Sequence, residues 1–314
     1  MSFILLGILN AQAAGAGIPG IAGYFAGGFT NTFSNTVDKL DFANDSRSTL
    51  GTGLSSPTVG PSGMSNAGVA GYSTGGYANS SRTTTINKFA FPSDSRSTLS
   101  AGLATGRSGH AGFSNSGVAG YAAGGMGSSG ELSSAEKFAF PSDSRSSLGT
   151  GLSNSRAAMT GFANSGVAGY AAGGDAGLPK YSTVDKFAFP SDSRTTLSPG
   201  LSTTNFGLTG FANSGVAGYA AGGRTGSGVT DKVDKFAFPS DSRTTLGTVL
   251  SATTTALASV SDTGFAGYTG GGTASSVDVA TINKFAFPSD SRTTLGASLS
   301  STREGLGSFQ NETL

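Results

Sequence analysis

Cysteine is absent from this sequence, and histidine occurs once, at His110. Without Cys there is no disulfide, no thiolate metal site and no Cys nucleophile; the compartment stays open. One His leaves almost no room for a His-based metal cluster or a catalytic triad within one chain. Charge is scarce as well, at 12% of residues, and the formal net charge is +1. That gives neither a basic footprint for nucleic acid nor an acidic tail, so nucleic acid is not an expected partner. No apolar run reaches the roughly 18 residues that cross a bilayer, so the chain is not expected to be membrane-spanning.

What the chain does have is glycine, 51 of 314 residues, together with abundant Ser and Thr. Disordered Gly/Ser-rich chains lack a regular apolar supply, whereas here aliphatic and aromatic residues recur evenly. The recurrence is a repeat. Asp-Ser-Arg begins at Asp45, Asp94, Asp143, Asp192, Asp241 and Asp290, every step being 49 residues. Tyrosines preceding a glycine pair recur at Tyr24, Tyr72, Tyr121, Tyr170, Tyr219 and Tyr268, in steps of 48 and then 49 four times.

One unit, from Thr209 on, holds four short β segments separated by turn residues. They fall around Phe211, over Val216 to Ala221, over Val233 to Phe238 and over Thr244 to Leu250. This period and punctuation fit a four-stranded propeller blade. Phe236 and Phe238 stand two apart, so both face one side of strand 3 and supply inter-sheet core. The small residues of strand 2 fit where inner strands crowd toward the axis. An apolar strand ending in Gly222-Gly223, a variable loop, an aromatic strand carrying Phe236, a polar turn and a Leu-containing strand resemble the kelch repeat. The Trp of the kelch fourth strand is replaced by Leu246 and its equivalents. The resemblance covers about residues 16–311 and implies an all-β, six-bladed propeller of four-stranded kelch-like blades.

Closure is also legible. Phe309 lies 19 residues after Asp290, as Phe162 lies 19 after Asp143, and Asn311 matches Asn164. The C-terminal segment is therefore expected to pair as strand 1 of the first blade. An open solenoid would instead need capping repeats. Within the Asp-Ser-Arg turns, Asp45, Asp94, Asp143, Asp192, Asp241 and Asp290 are expected to accept turn N–H groups. Arg47, Arg96, Arg145, Arg194, Arg243 and Arg292 are expected to pair with nearby carboxylates or carbonyls, making structural staples. Lys39, Lys88, Lys137, Lys186, Lys235 and Lys284 are expected beside acidic partners.

Variation concentrates in the loops between strands 2 and 3 (29–38, 77–87, 126–136, 175–185, 224–234, 273–283). The links from strand 4 to the next strand 1 vary too (57–61, 104–110, 154–159, 203–208, 252–258, 302–307). In an up-and-down blade both connections share one face, and loops on a rigid scaffold commonly carry recognition. Arg82, His110, Glu131, Lys180, Arg224 and Asp231 are the candidate recognition residues, expected in solvent there. The loop acids Glu131, Glu136, Asp175, Asp231 and Asp278 show no shared motif, and glycosidases use a carboxylate pair at a set separation. No enzymatic activity and no cofactor are expected.

Residues 1–15, MSFILLGILNAQAAG, fall outside the repeat. Ala11-Gln12-Ala13 after an apolar stretch has the form of a secretory cleavage site, with no Lys or Arg ahead of the run. The segment also resembles the opening of virion structural proteins of marine tailed bacteriophages. That resemblance implies a tail, neck or fibre component docked through its N-terminus to another virion protein. Phe3, Ile4, Leu5, Leu6, Ile8 and Leu9 are then the expected anchor, buried against the partner on the face of the constant turns. The head, residues 16–314, would display its variable loops to a host-surface glycan or protein. Pure structural decoration of the particle is one alternative, and a secreted carbohydrate-active propeller is the other.

Overall fold

Thr160-Gly161-Phe162-Ala163-Asn164 alternates, so a strand here buries Phe162 on one face and turns Gly161 and Ala163 to the other. The same alternation sets the first strand of every blade: Ser62–Asn66, Ala111–Asn115, Thr160–Asn164, Thr209–Asn213, Ala258–Asp262 and Gly307–Asn311. The computed structural model describes residues 21–177 and 179–312, where regular structure is β throughout. Six four-stranded antiparallel sheets form, five of them meanders in chain order and the sixth taking its first strand from the C-terminus, and the first strands pack against one another around an axis. This is a six-bladed β-propeller. Blade 5 continues from its first strand through Ala217–Ala221, Val233–Ala237 and Ser242–Thr245.

The ring is closed by the C-terminal strand. Gly307–Asn311 pairs antiparallel with Ala22–Ala26, in the register Ala22↔Asn311 and Tyr24↔Phe309. Tyr24 and Phe309 stack at 4.9 Å, as Phe162 and Tyr170 do within blade 4. The open solenoid is thereby set aside.

Aromatic columns hold the blades together. Phe162 and Tyr170 of blade 4 meet Phe236 and Phe238 of blade 5, with ring centroids 5.9 and 5.4 Å apart. Each fully buried aromatic of this kind contributes about 1.5–3 kcal/mol of burial. The glycine before each repeat tyrosine makes that packing possible. A Cβ on Gly218 would lie 2.3 Å from the Phe162 ring, and one on Gly169 would lie 2.0 Å from Phe113. The small residues of strand 2 thus receive the neighbouring blade's side chain; it is the first strand that lines the axis. Strand 4 spans Ser242–Thr245 and ends before Leu250, short of the expected Thr244 to Leu250. Leu250 leaves the sheet and is buried beside Phe211 and Tyr219.

Candidate functional site

Strand pairing gives the ring two faces. The turns joining strands 1 to 2 and 3 to 4 lie on one, and the described chain enters there, since Ala22 is paired with both Asn311 and Asp41. The 2-to-3 loops and the 4-to-1 links share the other. There, isolated bridges tie link to loop, as in Val59↔Tyr77, Ser108↔Met126 and Phe206↔Arg224.

The constant face is a ring of inter-blade staples. Asp192, in a left-handed conformation with φ of 56°, accepts hydrogen bonds from the Tyr121 hydroxyl and Lys137 Nζ of the preceding blade, both at 2.8 Å. Tyr24 and Lys39 serve Asp94 in the same way, and Tyr268 and Lys284 serve Asp45 across the closure. The Asp carboxylates therefore bind the neighbouring blade rather than the amides of their own turns. Burial first, and then the Asp carboxylate, holds the six tyrosine hydroxyls far above the ordinary phenol range. The arginines turn inward along their own blade, with Arg194 3.4 Å from Asp185 and Arg292 donating to Asn283 at 3.3 Å. A second ring escaped the sequence reading: Asn115 Oδ1 accepts the Gly166 N–H of the next blade at 2.9 Å, and Asn164 accepts that of Gly215 at 2.8 Å. The recurrent Asn of each Asn-Ser-Gly turn was the available signal. Between these staples stand exposed apolar side chains, Val69, Val118, Val167 and Val216 at 48% and Phe265 at 54%.

On the variable face, part of the apparent variation is core. His110 is 2% exposed, not solvated, and its Nε2 lies 2.8 Å from the Thr74 hydroxyl. Its repeat equivalents are Met159, Leu208, Leu257 and Leu306, so it occupies a plug position between blades 2 and 3. Burial, and then the charge of Arg107, pushes its pKa down to about 3. Three link arginines are buried too. Arg107, Arg156 and Arg303 pair with Glu136, Asp185 and Asp38 of the third strands. Burial lowers all three guanidinium pKa values. Asp185 is itself pushed up by burial, but the Ser153 N–H, Arg156 and Thr196 outweigh this and hold it below the usual carboxylate range.

The remaining candidates sit on hairpins that extend beyond the sheets. Glu131 lies in the blade 3 hairpin, opposite Met126. Lys180 is bridged to Asp175 in blade 4, half-buried, with Nζ 5.0 Å over the Phe206 ring. It also donates to Thr225 O at 3.4 Å in the next hairpin, which exposes Arg224. Burial, followed by the negative charge of Glu131, raises the Asp175 pKa, while Lys180 opposes them. Blades 3 to 5 thus form a charged sector, to which Asp231, just past the blade 5 hairpin, is peripheral. Blades 1 and 2 form an aromatic one. Phe29, Phe33 and Tyr77 stack edge-on at 5.7 and 5.8 Å, and half-buried Arg82 lies 5.8 Å over Tyr77. Phe29 and Tyr77 share the position after the glycine pair, but the other four repeats place Met126, Asp175, Arg224 and Thr273 there, so the column does not read as aromatic.

A cavity of about 310 Å³ runs along the axis, lined by first-strand residues such as Gly112, Ser114, Gly161 and Ala163. Its serines are engaged between blades: Ser114 Oγ accepts the Ser65 N–H, and Ser259 Oγ donates to Gly210 O. Among the described residues, no group of three or more His, Asp or Glu side chains could hold a metal ion, and no helix is long and apolar enough to cross a membrane. Phe3, Ile4, Leu5, Leu6, Ile8 and Leu9 lie outside the described residues. The chain matches no protein-family model and no curated protein.

Proposed function

We propose that this chain is a non-enzymatic interaction module of a viral particle, built on a kelch-like repeat. It is held by its N-terminal segment against another virion protein and presents the hairpin face to a host-surface glycan or protein. The observation that carries this reading is the aromatic sector of Phe29, Phe33 and Tyr77 with Arg82 stacked on it. Aromatic and Arg side chains gathered at one surface are the composition of binding hot spots. Flat rings beside polar hydroxyls also suit a sugar ring. The opposite face supplies the docking side, where exposed Val and Phe265 side chains of blades 2 to 6 share the face at which the described chain enters blade 1.

Structural decoration of the particle is the second reading, favoured by the link-to-hairpin bridges, which give each variable loop a packing role. The two separate on a printed array of bacterial surface glycans. Display predicts retained binding by the wild-type chain that falls at least tenfold in Tyr77→Ser or Arg82→Ser. Decoration predicts no binding to glycan or host-envelope protein. Release of reducing ends from a bound glycan, abolished in Asp175→Asn, would overturn the non-enzymatic reading.

A further inference from the structure

Three blades bury a guanidinium in the same cradle. In blade 3, Arg107 Nη1 donates to the carbonyls of Gly124 and Ser134, both at 3.0 Å, while Nη2 reaches Glu136. Arg303 makes the equivalent contacts in blade 1, to Gly27 O, Thr36 O and Asp38. In blade 4, Arg156 meets Gly173 O and Asp185. Blade 5 places a carboxamide there instead, with Asn205 Nδ2 donating to Gly222 O at 2.7 Å. Blade 2 differs. Its equivalent residue is the short Thr58, whose hydroxyl turns back to Ser56 O at 2.8 Å, and neutral Asn87 stands where blade 3 has Glu136. At this place lies a cavity of about 100 Å³, bounded by Ser55, Thr58, Gly75, Thr85 and Asn87 of the cradle and by Asn79 of the hairpin.

We propose that this blade 2 cavity is a binding site for an uncharged planar group bearing an NH2, of the primary carboxamide or urea class. Gly75 and Thr85 are the repeat equivalents of Gly124 and Ser134, whose paired carbonyls take two N–H bonds from one nitrogen of Arg107. An NH2 group offers that same pair of donors. Charge decides against a cation. The cradle has lost its carboxylate, and the Arg96 guanidinium stands 3.5 Å from Asn87 Oδ1. Blade 6 makes the same joint replacement, Thr254 with Asn283, whereas blade 5 keeps an acid, Asp234, beside Asn205. The volume suits a group of a few heavy atoms rather than a single water. The site opens on the hairpin that carries Tyr77 and Arg82, yet it stands whether or not that face recognises a host.

Acetamide titrated into the full chain, read by backbone amide NMR, tests this. Saturable shifts in the millimolar range are expected, confined to Gly75, Asn79, Thr85 and Asn87. The double variant Thr58→Arg/Asn87→Asp rebuilds the self-filled cradle of blades 1, 3 and 4 and should abolish them while unfolding at the wild-type temperature or above. Thr58→Gln, which supplies a tethered carboxamide, should abolish them too and serves if the double variant folds poorly. Guanidinium chloride at matched concentrations should shift these amides several-fold less. Shifts that do not saturate, or that persist in both variants, would overturn the site. An equal or stronger response to guanidinium would overturn its neutral specificity.

Discussion

Replacing His110 with Leu should remove much of the acid sensitivity of this fold. His110 is fully enclosed between blades 2 and 3, and Arg107 stands close enough for its charge to disfavour an imidazolium. Its folded pKa is pushed down to about 3 from an unfolded value of 6.5. The folded pKa lies below the unfolded one, so the unfolded chain takes up the proton first. Stability is therefore complete above pH 6.5 and is lost as pH falls from there toward 3. Each pH unit well inside that window costs about 1.4 kcal/mol, so moving from pH 6.5 to 4.5 costs about 2 kcal/mol from this residue alone. Leu is what blades 5, 6 and 1 carry at the equivalent position (Leu208, Leu257 and Leu306), so the substitution fits the site. Urea midpoints at pH 7.5, 6.5, 5.5 and 4.5, converted with measured m-values, give the slope for each protein. Carboxylates titrate in both, so the difference between the two slopes isolates His110. Parallel slopes would refute the reasoning, because a solvated or protonated His110 would then be the folded state.

Three further outcomes follow from the staples and the closure. Asp192→Ala removes the acceptor of Tyr121 and Lys137 and should cost about 2–3 kcal/mol in chemical unfolding; in a Lys137→Met background the cost should shrink. Arg156→Thr leaves Asp185 buried without its principal cation and should cost about 3–5 kcal/mol, whereas Arg156→Thr/Asp185→Asn, the arrangement of blade 6, should recover most of it. Deleting residues 301–314 removes the closing strand, exposes the edge of Ala22–Ala26 and should lower the melting temperature and promote association, read by calorimetry and light scattering; a monomer with unchanged melting would contradict closure.

The architecture was legible because it rests on repetition. The 49-residue spacing of Asp45 to Asp290 and the match of Phe309 to Phe162 are one-dimensional signals of blades and closure. What each repeated residue touches was less so, because the partner lies one blade away. Asp192 sits 71 residues from Tyr121, and only assembly of the ring brings them together. His110 was misjudged, and Arg107 passed over, for a different reason. They stand in links whose sequences differ from blade to blade, and difference reads as exposure unless the columns are compared for volume. Aligning His110 with Met159 and Leu208 would have placed it in the core. Phe29 and Tyr77 share one column, directly after the glycine pair, but their contact runs through Phe33 of the blade 1 hairpin. The aromatic sector forms where two neighbouring hairpins meet, which sequence spacing does not encode.

The central claim is that one face is scaffold and the other recognises. Transplanting the blade 5 hairpin, residues 224–229, onto blades 1 and 2 in place of residues 29–33 and 77–82 tests it most directly. The transplant removes Phe29, Phe33, Tyr77 and Arg82 while leaving every Asp–Tyr–Lys staple intact. Binding to bacterial surface glycans and envelope proteins is then measured beside the melting temperature. The account predicts wild-type melting with binding lost, and a Val118→Ser/Val167→Ser variant of the opposite face that binds as wild type. Binding that survives the transplant but disappears in the valine variant would place recognition on the constant face and contradict the account.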